Sequence, residues 1–435
     1  MRSPELNNES NQKVLGIVAI VFILVVISAC GTKMELPSSP ASVSFGSGDT
    51  TYIHLAPDWT INNGIPLNEP CDIVVGPDGY VFVVDRGNER IAVFDRVGNS
   101  IETGWTDDLA DLDGLEGIGS GDVIEAIGQD EKLNLFMVAG GPTVWYWNQY
   151  INEVGVESVL DYFVVLDTLE LDTTNASFTE FVELETQTPD RYVIIDFIFS
   201  YDPDRIDSVY APKVFYQDPN GLSKYRGVAG GPDETVYITD LTDRVSRLTL
   251  NYHNMVMLNN GFVAYTYYGD FERDIAVHGT GMGTTIDPAG IYVQVQGGQH
   301  YIYFSQTEPN FMVQKIREEG VGNFFSAFSA NTDIMELERF SRPMDIWVAE
   351  QYLGSNWVFV ADTDSNRVQV FNPVGDFLMY AGGRKTSIAD PEIFDELVLP
   401  EGVAHFEGTL YVADTGNNRI VRYALSTDVE NIPGL

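Results

Sequence analysis

Three stretches of the chain set an aspartate five residues ahead of an arginine: Asp85 and Arg90, Asp362 and Arg367, Asp414 and Arg419. A fourth pair, Asp240 and Arg244, is one residue closer. A carboxylate and a guanidinium at fixed spacing can form an ion pair that holds a turn, or they can serve acid–base chemistry. Recurrence decides between these uses. A reaction needs its catalytic group once, whereas a device that holds a turn is needed wherever the turn recurs. An aspartate at a strand end accepts the backbone N–H groups of the next turn, and an arginine returning on the following strand can pair with it. These eight residues are therefore assigned to architecture.

The remaining candidates for chemistry are few. The five histidines, His54, His253, His278, His300 and His405, do not recur at matching places, and metal sites need ligands that converge. There is no HExxH, GxSxG or phosphate-cradling glycine loop. Gly279, Gly281 and Gly283 lead into a Pro-opened strand instead of a helix, which argues against dinucleotide binding. Asp107, Asp108, Asp111, Asp113 and Glu116 crowd one loop with Gly114. Setting Gly114 at position six of an EF-hand loop puts Leu109 at position one and Ser120 at position twelve, so that template fails. A solvated acidic loop is the simpler reading; calcium on a non-standard loop is the one cofactor left open. No catalytic and no metal-ligating residue is assigned. Trp145 and Trp147 share one face of a strand, where they either pack against a neighbour or form an aromatic platform.

The elements that carry the Asp–Arg pairs share one order of parts. Residues 70–95, 343–371 and 400–423 each open with a Pro and a short apolar strand, turn, run through an alternating strand ending in Asp, turn again, and continue from an Arg into a third strand. Gly76-Pro77-Asp78-Gly79 has strong turn chemistry. Valines alternate with other apolar residues along these strands, so both strand faces are expected to be buried. Asp414-Thr415-Gly416-Asn417-Asn418-Arg419-Ile420 and its two partners resemble the NHL repeat, one blade of a β-propeller. Weaker copies follow at Asp240, at Gln306 and at Gly140. The resemblance implies an all-β, six-bladed NHL-type β-propeller, with seven blades as the other count. The gap of 100 residues between positions 140 and 240 is read as an insertion, roughly residues 152–222, between blades two and three. Ring closure requires a strand from the other end of the chain. Residues 51–55 are expected to complete the blade that holds Asp414 and Arg419.

The 435 residues carry 24 Lys and Arg against 64 Asp and Glu, a net charge of −40. Nucleic-acid binding draws on Lys and Arg neutralising phosphates, so a nucleic-acid partner is excluded. Residues 14–27 form an apolar run, and Ile27-Ser28-Ala29-Cys30 resembles a bacterial lipobox. That resemblance implies a lipoprotein signal peptide over 1–29, lipidation of Cys30, and a flexible tether over 30–50. The segment ahead of the run has no net charge, with Arg2 and Lys13 against Glu5 and Glu9; an uncleaved N-terminal anchor is the other reading. Gly31 in place of Asp favours the outer membrane or cell surface over the inner membrane. The propeller is expected over 51–425 and a tail over 426–435. If Cys30 is lipidated, Cys71 is the one thiol left, expected to be buried and inert. Together these features point to a lipid-anchored, extracytoplasmic module that binds or scaffolds a protein, peptide or glycan. A metal-dependent lyase or lactonase-like enzyme with its site at the channel mouth is the alternative that related propellers imply.

Overall fold

The computed structural model describes residues 51–427, apart from 102–105, 107–108, 111, 113–122, 155–181, 184–191, 194–211, 258–262, 309, 320–321 and 383–396. The predicted signal peptide, Cys30, the tether, the acidic residues Asp107 to Glu116 and the end of the tail lie outside the described residues.

Six small antiparallel sheets form a closed ring, a six-bladed β-propeller. Their inner strands are Pro70–Val75, Ala126–Gln129, Tyr225–Gly230, Pro288–Gln296, Pro343–Tyr352 and Pro400–Phe406. Each contacts the next in that order, and the last contacts the first. One apolar cluster fills each seam between blades. In blade one, Phe82 and Val84 face blade two while Val81 and Val83 face blade six. Strand alternation thus feeds two cores from one strand, which is why these segments read as continuously apolar.

The spacing of the Asp–Arg pairs follows from local backbone geometry. After Asp85, Asp362 and Asp414 comes one three-residue 3-10 turn, then a residue in the left-handed region (Glu89, Asn366 and Asn418, φ 53 to 55°), then the arginine. Asparagine tolerates that conformation better than most residues. In blade three the left-handed residue is Asp243, at φ 63°, so Arg244 comes one place early.

The chain closes as expected. Tyr52–Trp59 pairs antiparallel with Arg419–Leu425, Tyr52 opposite Leu425 and Trp59 opposite Ile420. Arg419 Nη1 donates to Asp58 Oδ2 at 2.6 Å, tying this strand to the Asp414 turn.

Two details of the sequence reading change. The long interval lies inside blade two: Lys213–Gln217 is that blade's fourth strand, paired with Thr143–Asn148. The extra chain therefore spans residues 149–212, between the third and fourth strands, and residues 213–217 belong to the propeller. It begins with a short helix, Gln149–Val154. Second, Ala126 pairs with Val138 as Asp72 pairs with Val84, so Ala139, not Gly140, stands where other blades have Asp. Gln306, opposite Pro288, does stand at that place.

Strand direction defines two faces. The Asp–Arg turns share one. The opposite face carries the loops between the first and second strands and between the third and fourth. Blade three departs from the ring on that second face. Its third and fourth strands, Arg244–Met257 and Val263–Val277, continue as a hairpin beyond Thr249, the last residue paired with the second strand. Eight further residues at about 3.3 Å each project the hairpin by roughly 25 Å.

Candidate functional site

The inner strands enclose a channel of about 500 Å³, within the range of small-molecule sites. Its wall is set by how each inner strand begins. Pro70-Cys71-Asp72-Ile73, Tyr225-Arg226-Gly227-Val228, Pro288-Ala289-Gly290-Ile291, Pro343-Met344-Asp345-Ile346 and Pro400-Glu401-Gly402-Val403 are equivalent, each with a register shift against the second strand. The third residue is Gly or Asp. At Gly402 a Cβ would lie 2.7 Å from the Asp72 Cα, and at Gly290 one would lie 2.5 Å from the Asp345 Cα. Glycine is required there by the neighbouring backbone.

Where Asp replaces Gly, the carboxyl reaches across the seam. Asp72 accepts the backbone N–H groups of Ile73 at 2.8 Å and of Ile127, in blade two, at 2.7 Å. Asp345 accepts those of Ile346 at 2.7 Å and of Val403, in blade six, at 2.8 Å. Both line the channel on either side of the Gly402 strand. Burial pushes Asp72 up to about 7, against its backbone hydrogen bonds and with a further rise from Glu401. Burial, then the Asp72 charge, hold Asp345 well above the usual carboxylate range. These two carboxyls bind protons far more readily than ordinary aspartates.

Three arginines line the channel end nearest the Asp–Arg turns, and each has a carboxylate partner. Arg86 Nη1 lies 2.8 Å from Glu401, Arg342 Nε 2.9 Å from Asp364, and Arg226 Nη1 3.6 Å from Asp287. The opposite end is aromatic and acidic. Trp347 and Tyr292 have ring centroids 4.8 Å apart, and the Tyr292 hydroxyl donates to Glu350 Oε1 at 3.4 Å. Burial first, then the Glu131 charge, raise the Glu350 pKa.

The residues singled out in the sequence lie elsewhere. Asp85 and Asp414 each accept a backbone N–H, from Asn68 and Val398, and hold Arg90 Nε at 2.8 Å and Arg419 Nε at 2.7 Å. Asp240 holds Arg244 at 3.0 Å. Asp362 accepts from the Ser341 N–H and from Gln369 Nε2, while Arg367 Nε stands off at 3.8 Å. These groups stitch each blade's turn to the approach to its own inner strand. Across the seams, Thr363 and Thr415 donate to the carbonyls of Pro400 and Pro70 at 2.7 Å.

His405 lies in the seam of blades five and six, stacked on Phe359 at 5.2 Å. Its Nε2 has no partner, and burial drives its pKa down to about 3. Trp145 and Trp147 are core residues of the seam between blades one and two. Cys71 is buried, which pushes its thiol up, and its Sγ donates to the Glu125 carbonyl at 3.4 Å. Among the described residues no three His, Cys, Asp or Glu side chains group as metal ligands. The channel residues Asp72, Asp345, Trp347 and Glu350 escaped the sequence reading. The signal was present: an Asp in the Pro-x-Gly position of the repeat.

No protein-family model and no curated protein matches the chain. Among solved structures, the chain is similar to a streptogramin B lyase, at 12% identity over 87% of this chain and 98% of that one, TM-score 0.44. An auxiliary nutrient binding protein from Bacteroides thetaiotaomicron VPI-5482 matches at 10% identity over 82% and 69%, TM-score 0.45. The calcium-binding protein regucalcin from Agrobacterium tumefaciens str. C58 matches at 8% identity over 84% and 92%, TM-score 0.43.

Proposed function

We propose that the chain is a lipid-anchored, extracytoplasmic propeller of NHL type that binds a protein, peptide or glycan partner through the face bearing its long hairpin. One observation carries this reading: among the described residues the longest hairpin of the ring lies on that face, and the long interval of the adjacent blade opens on it. The blade-three hairpin projects there. The interval 149–212 leaves and re-enters blade two there, after Asn148 and before Lys213. Thr51, the entry to the propeller from the N-terminal segment, is bonded there to Ser426. A regular ring supplies rigidity, and departures from it supply recognition. In this reading Asp85, Arg90, Asp240, Arg244, Asp362, Arg367, Asp414 and Arg419 hold the blades and take no part in binding. Lipidation at Cys30 keeps the chain at a membrane, so its partner is expected among envelope components.

The test is capture of partners from solubilised envelopes. Wild type is compared with a chain whose residues 251–268 are replaced by a two-residue turn, and with one whose residues 155–211 are removed. The proposal expects a partner bound by wild type and lost from at least one variant, with both variants melting as wild type does. Undiminished capture by both would refute it.

A further inference from the structure

The inner strands share one register, in which Ile73, Ile127, Val228, Ile291, Ile346 and Val403 are equivalent. Each lies opposite the residue two places before the end of its second strand, as Ile73 does Val83, Val228 does Ile238 and Ile291 does Phe304. Asp72 and Asp345 take four of these six backbone N–H groups. Asp72 bridges Ile73 and Ile127, and Asp345 bridges Ile346 and Val403, so each carboxyl serves its own blade and the next. The two left over, Val228 and Ile291, again belong to adjacent blades, three and four, and both line the channel. Among the described residues no side chain accepts from either N–H, although Val228 is 3% and Ile291 7% exposed. A buried N–H without an acceptor is costly, and native folds pair nearly all of them. Asp72 and Asp345 stand in blades one and five, so the matching third carboxyl belongs in blade three, at position 227. That residue is Gly227, where a Cβ would run into the Ala289 carbonyl oxygen, so the chain cannot supply it. Arg226, one residue earlier, lines the channel and is the least committed of its three arginines. Its Nη1 is 3.6 Å from Asp287, beyond hydrogen-bond reach, and its Nη2 meets only the Met344 sulfur at 3.5 Å.

We propose that the channel binds a small organic monocarboxylate with an apolar body. Its carboxylate bridges the Val228 and Ile291 N–H groups beside Arg226, as Asp72 and Asp345 bridge the other two pairs. Two backbone donors and a guanidinium make charge-assisted hydrogen bonds that a neutral amide cannot match. The body runs from there along Ile291, Val293 and Trp347 toward the hairpin face. A second acidic group at that end would meet Glu350 and Glu131, which selects against dicarboxylates. This site is separate from the partner face, and either can fail without the other.

Calorimetry and amide NMR on the purified protein test this with 4-phenylbutanoate, 4-phenylbutanamide and acetate as probes. The phenylbutanoate is expected to bind at least about tenfold more tightly than its amide and at least about tenfold more tightly than acetate. It should move the Val228 and Ile291 amide protons downfield and leave those of Ile73 and Ile346 in place. Arg226→Gln is expected to weaken the phenylbutanoate about tenfold with the melting temperature kept. Equal affinity for the amide or for acetate overturns the proposal, and so does full affinity in Arg226→Gln. Binding that leaves the Val228 and Ile291 amides unmoved, or no binding at all, overturns it too.

Discussion

Asp414 is fully buried and spends its two oxygens on Val398 N–H, Asn417 and Arg419. Removing it strands three donors, and a broken buried pair typically costs about 3–5 kcal/mol. Asp414→Ala should therefore lower stability in urea unfolding by about 3 kcal/mol. Exposed Asp364→Ala, which breaks one surface pair with Arg342, should cost less than about 1 kcal/mol. Comparable losses would mean that the repeated aspartates do not hold the turns. The channel aspartates give a pH prediction of opposite character. A carboxyl that the folded chain protonates more readily than the unfolded chain stabilises the fold below about pH 4 and loses that contribution as pH rises through its folded value. For Asp72 that value is about 7. Stability should thus fall from weakly acidic to neutral pH, and Asp72→Asn should flatten the slope whatever its overall stability; an unchanged slope would contradict the assignment. The repeated Asp–Arg pairs were readable because repetition marks them. Asp72 and Asp345 were not, because each occurs where blades three, four and six have Gly227, Gly290 and Gly402 for close backbone approach, a constraint visible only across a seam.

At the scale of elements, the blades with a full Asp-to-Arg turn were legible strand by strand, and so was closure by residues 51–55. Blade two was not, because it has neither the Asp nor the Arg to fix its register; Ala139 was misplaced by one residue, and the fourth strand was assigned to the insertion. The length of the blade-three hairpin also escaped, since its extra pairs run beyond the repeat and carry none of its marks. Tyr52 and Leu55 are buried in the closing strand. Deleting residues 51–56 should cost at least about 3 kcal/mol from these two side chains alone, plus the opened sheet edge. Deleting 31–48 should change stability by less than about 0.5 kcal/mol. Thermal melts of both deletions decide the matter, and equal melting temperatures would count against closure through this strand.

For the whole molecule, a net charge of −40 disfavours approach to phosphate backbones and anionic lipid surfaces, so the proposed membrane attachment rests on Cys30. Cys30→Ser should move the protein from the membrane fraction to the soluble fraction, read by fractionation and blotting. Retention without Cys30 would favour an uncleaved anchor. The partner face can be located in cells carrying the lipidated chain, with a carboxyl-reactive crosslinker and mass spectrometry. Crosslinks to other proteins should concentrate on Glu131, Glu234 and Glu407, in loops of the hairpin face, and spare Glu69, Glu89 and Asp364 on the Asp–Arg face. Crosslinks concentrated on that second set, with the hairpin face unmarked, would contradict binding through the hairpin face.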